Sequence, residues 1–234
     1  MSSGRSFLSE EFLLEAIDIN KSYRLFKNEI EVLKGISLKI FAAELVAITG
    51  PSGAGKSTLL HILGGLDYPS GGKVYFQKQD IYQLKDNQRA QIRNKYIGFV
   101  FQFYHLLPEF SAWENVMLPA LIKNNNGNKI EYKNKAIELL EQVGLSKRVN
   151  HKPNELSGGE QQRVAIARSL INEPKIIFCD EPTGNLDSTT GKEIVDLLLS
   201  FNRKNKQALV MVTHDESIAK LAHRVIQIKD GKMV

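Results

Sequence analysis

Short apolar runs and longer amphipathic stretches alternate along most of the chain. The apolar runs are rich in β-branched residues, as buried strands are, and they cover residues 45–49, 97–101, 176–179, 209–213 and 225–228. Helical periodicity between them predicts helices at residues 56–63, 133–143, 160–171 and 188–201. Strands that alternate with helices in this way indicate an α/β fold with a largely parallel sheet.

Two regions depart from this alternation. Residues 1–40 alternate short strand-like pieces with polar turns, which predicts an N-terminal antiparallel β layer. From residue 103 onward strand signals fade and helical periodicity takes over, and residues 124–128 are predicted to form a surface loop. We therefore expect residues 1–234 to form one domain, with an inserted α-helical subdomain at about 103–160.

Composition narrows the class of protein. Hydrophobic residues make up 42% and charged residues 24% of the chain, which is ordinary for a soluble globular protein. The single cysteine, Cys179, excludes an intrachain disulfide and fits a reducing compartment. Residues 1–11 lack the long apolar run of a secretory signal, and no stretch is apolar for long enough to span a bilayer. These features predict a cytosolic protein.

The net charge of +5 is compatible with more than one explanation. A basic balance can reflect nucleic acid, an anionic membrane surface or solubility alone. Lys and Arg are scattered here, apart from a short cluster at Arg203, Lys204 and Lys206. We interpret the charge mainly as solubility, with a nearby membrane surface as the second interpretation.

A glycine-rich loop joins the predicted strand at 45–49 to the helix at 56–63, which is the context of a phosphate-binding P-loop. Glycines let the backbone N–H groups curl toward phosphate oxygens, and the helix N-terminus attracts the anion. Lys56 is expected to neutralise the phosphates, and the hydroxyl of Ser57 can bind Mg²⁺. The candidate nucleotide-binding residues of the loop are Gly50, Pro51, Ser52, Gly53, Ala54, Gly55, Lys56, Ser57 and Thr58.

Two carboxylates end the predicted strand at 176–179. Asp180 is suited to hold Mg²⁺ through its water shell, and Glu181 to orient or deprotonate an attacking water. The plainer interpretation of such a pair is a solvated acidic turn. The P-loop upstream favours the magnesium and catalytic roles.

A second anion-binding helix start is predicted at Leu-Ser-Gly-Gly-Glu, residues 156–160. Ser157 is a good N-cap, and Gly158 and Gly159 expose backbone N–H groups where the helix begins. A capped helix with a flexible entry is the alternative. Guanine recognition is disfavoured, because no Asn-Lys pair is followed two residues later by Asp.

Several of these features share a position in the predicted fold. The P-loop, Gln102, the Asp180–Glu181 pair and His214 each follow the C-terminal end of a predicted strand. Ligands of open α/β sheets bind at that edge. The sequence therefore predicts one nucleotide site there.

Residues 156–160 resemble the signature of the nucleotide-binding domain of ABC transporters, and the resemblance runs from about Phe12 to the C-terminus. It implies a RecA-like P-loop NTPase core that hydrolyses ATP with Mg²⁺. It also implies a head-to-tail homodimer that sandwiches two ATP molecules. In that dimer Ser157, Gly158, Gly159 and Glu160 act in trans on the nucleotide of the partner.

The other motifs of the family occur in order. Gln102 matches the Q-loop, which senses Mg²⁺ and the membrane partner, and His214 matches the switch histidine that contacts the γ-phosphate. Residues 184–187 (Gly-Asn-Leu-Asp), ending in Asp187, match the D-loop of the dimer interface, although many members carry Ser-Ala within it. Tyr23 matches the aromatic residue that stacks on adenine, but a strand tyrosine is also a common structural residue.

Residues 99–116 and 180–187 resemble the bacterial lipoprotein-releasing (Lol-type) ATPases, with Trp113 where Leu is usual. This resemblance implies an ATPase at the cytoplasmic face of the inner membrane, where it drives permease subunits that release lipoproteins for the outer membrane. The aromatic residues Phe103, Tyr104 and Phe110 are expected either to form the groove in which the permease docks or to pack the helical subdomain.

Other functions remain open on sequence alone. A macrolide or peptide exporter and a cell-division complex use closely related ATPases. ABC ATPases that act on DNA or ribosomes usually carry long coiled-coil insertions or two P-loops, and this chain has neither, so no nucleic-acid partner is expected. A P-loop small-molecule kinase would not need the signature at 156–160.

Overall fold

The structure, a computed structural model, describes residues 12–25, 28–123 and 127–234. Residues 1–11 and most of the predicted loop at 124–128 lie outside the described residues. The strands are β1 (Leu14–Leu25), β2 (Asn28–Ile40), β3 (Leu45–Thr49), β4 (Gly71–Phe76), β5 (Gln79–Asp80), β6 (Ile97–Phe101), β7 (Ile176–Asp180), β8 (Ala208–Val212), β9 (Arg224–Lys229) and β10 (Lys232–Met233). The helices are α1 (Lys56–Leu63), α2 (Asp86–Tyr96), α3 (Ala112–Lys123), α4 (Lys129–Gln142), α5 (Gly158–Leu170), α6 (Ser188–Asn205) and α7 (Glu216–Ala219), with a 3₁₀ turn at Pro153–Glu155.

A six-stranded sheet lies at the centre of the fold, in the order β10-β9-β3-β8-β7-β6. Its strands are parallel except for β10, which pairs antiparallel with β9. Both faces of β3, β6, β7 and β8 are covered, so these four strands are almost wholly apolar, and successive side chains enter opposite cores. In β7, for example, Ile176 and Phe178 enter one core, while Ile177 and Cys179 enter the other. The predicted α/β fold is confirmed.

The second sheet has the order β2-β1-β4-β5 and is antiparallel throughout. Its buried face joins α1 and one face of the central sheet in the first core, where Ile19, Ile36 and Ile40 are almost fully buried. The antiparallel layer is confirmed, but its predicted short pieces are wrong: β1 and β2 are long strands. Register shifts between Ala16 and Ser22 interrupt the apolar alternation of β1, which made it resemble several pieces.

The helices α3, α4, α5 and α6 cover the other face of the central sheet and form the second core, with Val116, Leu140 and Ile194 fully buried. The boundaries of a helical subdomain at about 103–160 stay a prediction. In the part of the chain that the structure describes, no helix has the length and apolar character needed to cross a membrane.

Asn115 of α3 fixes the segment that follows β6. Its side chain is fully buried and accepts a hydrogen bond from the N–H of Leu107 at 2.8 Å. Its amide donates to the carbonyl oxygens of Leu107, Phe110 and Ser111 at 3.0 to 3.1 Å. One side chain therefore satisfies four backbone groups of residues 107–111.

Candidate nucleotide-binding site

The loop between β3 and α1 can form only with glycine at particular positions. Gly50, Gly53 and Gly55 have φ values of 144°, 76° and 98°, a region that residues with a side chain rarely adopt. A Cβ at Gly50 would lie 2.0 Å from the carbonyl oxygen of Ile228, and one at Gly55 would lie 2.7 Å from Leu33. The backbone is thus held in the curled shape that presents N–H groups to a phosphate.

Lys56 lies folded across this loop. Its Nζ atom donates to the carbonyl oxygens of Gly50 and Pro51, both at 2.9 Å, and the residue is only 7% exposed. Lys56 is also the first residue of α1, whose first turn carries no acidic side chain and whose N-cap, Gly55, provides no side-chain cap. A cation and an uncapped helix N-terminus therefore meet at one point, which suits an anion.

Ser57 and Asp180 bring two hard oxygen atoms together. The Ser57 hydroxyl donates to Oδ1 of Asp180 at 2.9 Å, and Nε2 of His61 lies 3.8 Å from Oδ2. Burial raises the pKa of Asp180 above its ordinary value, against the opposing effect of the Ser57 hydrogen bond. A nearby cation would remove that cost of burying the carboxylate.

This oxygen pair fits Mg²⁺, which prefers a hydroxyl and one or two carboxylates and completes its shell with phosphate oxygens and water. Within residues 12–25, 28–123 and 127–234 no group of three or more His, Cys, Asp or Glu side chains could hold a metal by itself. Ser57 and Asp180 therefore offer two oxygen ligands, and a bound nucleotide and water would have to supply the rest of the shell of a magnesium ion.

Glu181 and His214 follow the neighbouring parallel strands β7 and β8. Oε2 of Glu181 lies 3.6 Å from Nδ1 of His214, whose side chain is 71% exposed. Glu181 has a φ of 45°, and its N–H donates to the carbonyl oxygen of Val212 at 3.1 Å. A left-handed backbone conformation at a non-glycine residue costs roughly 1–3 kcal/mol of conformational free energy. Such conformations persist where the surrounding structure enforces them, and they cluster at functional sites.

Gln102 follows β6 and contacts the turn after β7. Its Nε2 donates to Oδ1 of Asn185 at 3.1 Å, and Nδ2 of Asn185 donates back to the carbonyl oxygen of Gln102 at 3.0 Å. Asp187, two residues further on, is the N-cap of α6 and accepts from the N–H groups of Thr189 and Thr190 at 3.0 Å each. The structure gives Asp187 a capping role, and its predicted role at a dimer interface stays a prediction.

Tyr23 lies on β1 and is 39% exposed. Its hydroxyl donates to Oδ2 of Asp67 at 2.7 Å, and Lys21 donates to Oδ1 of the same carboxylate at 2.8 Å. The ammonium of Lys21 also lies 4.6 Å from the centre of the Tyr23 ring. Burial and the bond to Asp67 raise the pKa of Tyr23, so the phenol stays neutral. The ring is thereby fixed, with a cation over one of its faces.

The start of α5 is capped by its own residues. The Ser157 hydroxyl accepts from the N–H of Glu160 at 3.2 Å, and the Glu160 carboxylate accepts from the N–H of Ser157 at 2.8 Å and from Arg148 at 2.9 Å. A Cβ at Gly158 would lie 2.9 Å from the Tyr104 hydroxyl, and one at Gly159 would lie 2.5 Å from Thr190. A larger residue at either position would have to displace the side chain of Tyr104 or Thr190, so both glycines fit the present packing.

The aromatic residues after Gln102 are not equivalent. Phe103 is 67% exposed and Phe110 is 37% exposed, whereas Tyr104 is half-buried and packs against Gly158. Arg168 of α5 donates to the carbonyl oxygens of Tyr104 and His105 at 2.7 and 2.6 Å. The segment is thus anchored, with Phe103 and Phe110 open to a partner and Tyr104 engaged within the chain.

The parallel register explains which predicted residues come together. Strands β3, β6, β7 and β8 end at one edge of the sheet, so the P-loop, Gln102, Asp180, Glu181 and His214 follow at that edge. Sequence reasoning assigned no role to several residues that contact the predicted site residues: His61 lies beside Asp180, Asn185 beside Gln102, Lys21 and Asp67 beside Tyr23, and Arg148 beside Glu160. Two of them had a local signal: Asp67 follows a Gly-Gly-Leu turn after the P-loop helix, and Asn185 lies within the predicted D-loop at residues 184–187.

The comparisons with known proteins agree with this geometry. A family model described as ABC transporter matches residues 33–184. Two curated relatives are named as ATP-binding proteins LolD of the lipoprotein-releasing system. The one from Legionella pneumophila (strain Paris) is 49% identical and covers 95% of this chain and 97% of its own. The one from Acinetobacter baylyi is 50% identical and covers 96% of this chain and 98% of its own.

A solved structure matches over nearly the whole fold. It is the ATP-binding cassette MJ0796, described as a dimer in a post-hydrolysis state with bound ADP and Pi. The TM-score is 0.88 at 43% sequence identity, and the match covers 94% of this chain and 96% of that one. The nucleotide-binding architecture predicted from the P-loop is therefore that of a known ATP-hydrolysing cassette.

Proposed function

The chain belongs to the ABC transporter family, and on that premise we propose that it is the ATP-hydrolysing subunit of a bacterial lipoprotein-releasing system. The identity of about half of the residues to proteins named for that system, over nearly the full length of both chains, carries the proposal. The enzyme is an ATPase coupled to transport, and it binds nucleotide through the edge of the sheet described above.

The chemistry assigned to this edge is hydrolysis of the γ-phosphate of ATP. Lys56 and the N–H groups of the P-loop bind the phosphates, and Tyr23 stacks on the adenine. Water attacks the γ-phosphorus, the bond to the bridging β–γ oxygen breaks, and the proton of the water passes to the carboxylate of Glu181. ADP and phosphate are the products. The contact between Glu181 and His214 supports a pair that acts on one side of the γ-phosphate.

Mg²⁺ is the metal that fits this site. Ser57 and Asp180 would hold it directly or through water, with Gln102 as a further oxygen ligand. When bound, the ion neutralises charge that develops on the phosphate oxygens. The hydrogen bond between Ser57 and Asp180 supports this assignment, because it holds together the two oxygen atoms that a shared cation would bind.

The working form is a homodimer in which each nucleotide contacts both subunits. Ser157, Gly158, Gly159 and Glu160 of one protomer complete the site of the other, and the turn at Asp187 lies at the interface. An isologous two-fold arrangement places these different patches in contact twice, which explains two anion-binding helix ends in one chain. The dimeric cassette that this chain resembles supports the assembly.

The membrane partners are permease subunits on which the ATPase acts from the cytoplasmic face of the inner membrane. The names of the relatives support such a system, and the exposed Phe103 and Phe110 beside Gln102 offer apolar surface for a permease segment. Lipoproteins released in this way pass toward the outer membrane. The partner is a protein in the membrane and not a nucleic acid.

Reconstitution in proteoliposomes tests whether the transported cargo is a lipoprotein. The ATPase and the permease subunits encoded with it are placed in proteoliposomes that carry a labelled triacylated lipoprotein, with a soluble acceptor outside. We expect release of the lipoprotein to require ATP and to be lost with Lys56→Ala. ATP-dependent export of a macrolide or peptide without lipoprotein release would assign the chain to a related exporter.

A further inference from the structure

The end of β6 and the turn after β7 are tied together by two amide side chains. Asn185 makes a reciprocal pair with Gln102, which lies 83 positions earlier in the chain. Gln162, which is fully buried, donates to the carbonyl oxygens of Phe101 at 3.2 Å and Pro182 at 2.6 Å. The same two segments are thus joined once beneath the surface and once at it.

The pair fixes the orientation of both amides. Nδ2 of Asn185 faces a backbone carbonyl oxygen, which can only accept, so the Asn185 oxygen must be the atom that faces Gln102. That oxygen accepts only from the NH₂ end of the Gln102 amide. The carbonyl oxygen Oε1 is then the end of Gln102 that remains available.

The neighbouring glycine makes this arrangement possible. A Cβ at Gly184 would lie 2.7 Å from Nε2 of Gln102 and 3.0 Å from its Cδ. The turn itself is held to the catalytic strand, because the N–H of Gly184 donates to the carbonyl oxygen of Glu181 at 3.0 Å. The Gln102 side chain packs against Gly184 and bonds to Asn185, and the bond from Gly184 holds this turn next to Glu181.

We propose that Asn185 is a positioning residue that presents the oxygen of Gln102 to the metal of the nucleotide site. The proposal rests on the proposed function, which makes Gln102 a ligand of Mg²⁺. A hard cation needs the amide oxygen, and a free glutamine amide can turn either end toward it. By holding the NH₂ end, Asn185 removes the unproductive orientation before the metal arrives, as outer-shell partners do at other metal sites.

The test separates metal-dependent from metal-independent nucleotide binding. All variants carry Glu181→Gln to prevent turnover, and the probe is the fluorescent analogue N-methylanthraniloyl-ATP. Its Kd is measured in Mg²⁺ and in EDTA. The ratio of the Kd in EDTA to the Kd in Mg²⁺ reports how much the metal contributes to binding. We expect Asn185→Ala to reduce that ratio about five- to tenfold and to leave the Kd in EDTA unchanged.

Two further variants make the result specific. Gly184→Ala keeps Asn185 but displaces the Gln102 side chain, so it should reduce the ratio in the same way. In a Gln102→Ala background, Asn185→Ala should cause no further change, because both act through one side chain. An unchanged ratio in Asn185→Ala, or an equal loss of affinity in EDTA, would overturn the proposal.

The failure of the proposed function would look different. If the parent protein with Glu181→Gln bound the analogue equally well in Mg²⁺ and EDTA, the metal site itself would be wrong. If the parent showed the metal effect and Gln102→Ala left it intact, the site would stand and the role of Asn185 would be wrong.

Discussion

The hydroxyl of Ser57 donates a hydrogen bond to the carboxylate of Asp180 at 2.9 Å, although 123 positions separate the two residues. Ser57 lies in the first turn of α1, and Asp180 is the last residue of β7. The bond brings the phosphate loop and the acidic strand end to one point. Lys56, Glu181 and His214 derive their proposed roles from their places around it.

Glu181→Gln should keep ATP binding and slow hydrolysis by about a hundredfold or more, because the amide cannot accept the proton of the attacking water. Steady-state phosphate release measures turnover, and fluorescence of a labelled ATP measures binding. Glu131→Gln, at an exposed position of α4, is the matched control and should behave as the parent. Near-normal hydrolysis by Glu181→Gln would remove this residue from the role of base.

Lys56→Ala should abolish productive binding of ATP, because it removes the only side-chain cation among the described residues that bonds to the carbonyl oxygens of the phosphate loop. Isothermal titration calorimetry gives the affinity directly. Lys73→Ala changes an exposed lysine of β4 and controls for the loss of one positive charge. An unchanged affinity for ATP in Lys56→Ala would contradict the phosphate role.

Tyr23→Phe and Asp67→Ala should each weaken ATP binding about fivefold, because each removes the hydrogen bond that fixes the Tyr23 ring. The affinity for inorganic tripolyphosphate, which has no base, should not change. The double variant should be no weaker than either single one. Asp86→Ala is the control: Asp86 is exposed, and its carboxylate bonds to Tyr68 and Arg89 instead. Equal losses for ATP and tripolyphosphate would exclude a role in base binding.

Asn115→Ala should lower the free energy of unfolding by about 2–4 kcal/mol, because the N–H of Leu107 and the carbonyl oxygen of Phe110 lose their hydrogen-bond partner and a fully buried side chain is removed. Urea denaturation followed by circular dichroism measures the change. Asn134→Ala, at an exposed position of α4, should stay within about 0.5 kcal/mol of the parent. Equal stability of the two variants would show that the buried network contributes little.

The central architecture could be predicted because it depends on local patterns. Strands β3 and β6 and helix α1 have the predicted bounds, since each is a short apolar or amphipathic run between clear breaks. Once those strands are parallel, the residues that follow them must meet at one edge. The motifs therefore predict a site at this edge of the sheet from local sequence alone.

Helix α2 and the residues that contact Tyr23 and Gln102 could not be predicted, because they depend on tertiary contacts that leave no pattern in the local sequence. Helix α2 is polar on nearly every side, with Arg89 its only fully buried residue, so it has no apolar period to detect. Asp67 and Asn185 are linked to Tyr23 and Gln102 only through tertiary contacts across 44 and 83 positions. A pattern search identifies the residues that touch the nucleotide more readily than those that hold them in place.

Co-purification from native membranes would identify the membrane partner of this ATPase. The chain carrying Glu181→Gln is expressed with an affinity tag in its own organism, extracted in mild detergent with MgATP and analysed by mass spectrometry. We expect a permease with a large periplasmic domain to come with it, and Phe103→Asp to reduce the recovery of that permease. Recovery of soluble dimers with no integral membrane protein would contradict the proposed role in a membrane transporter.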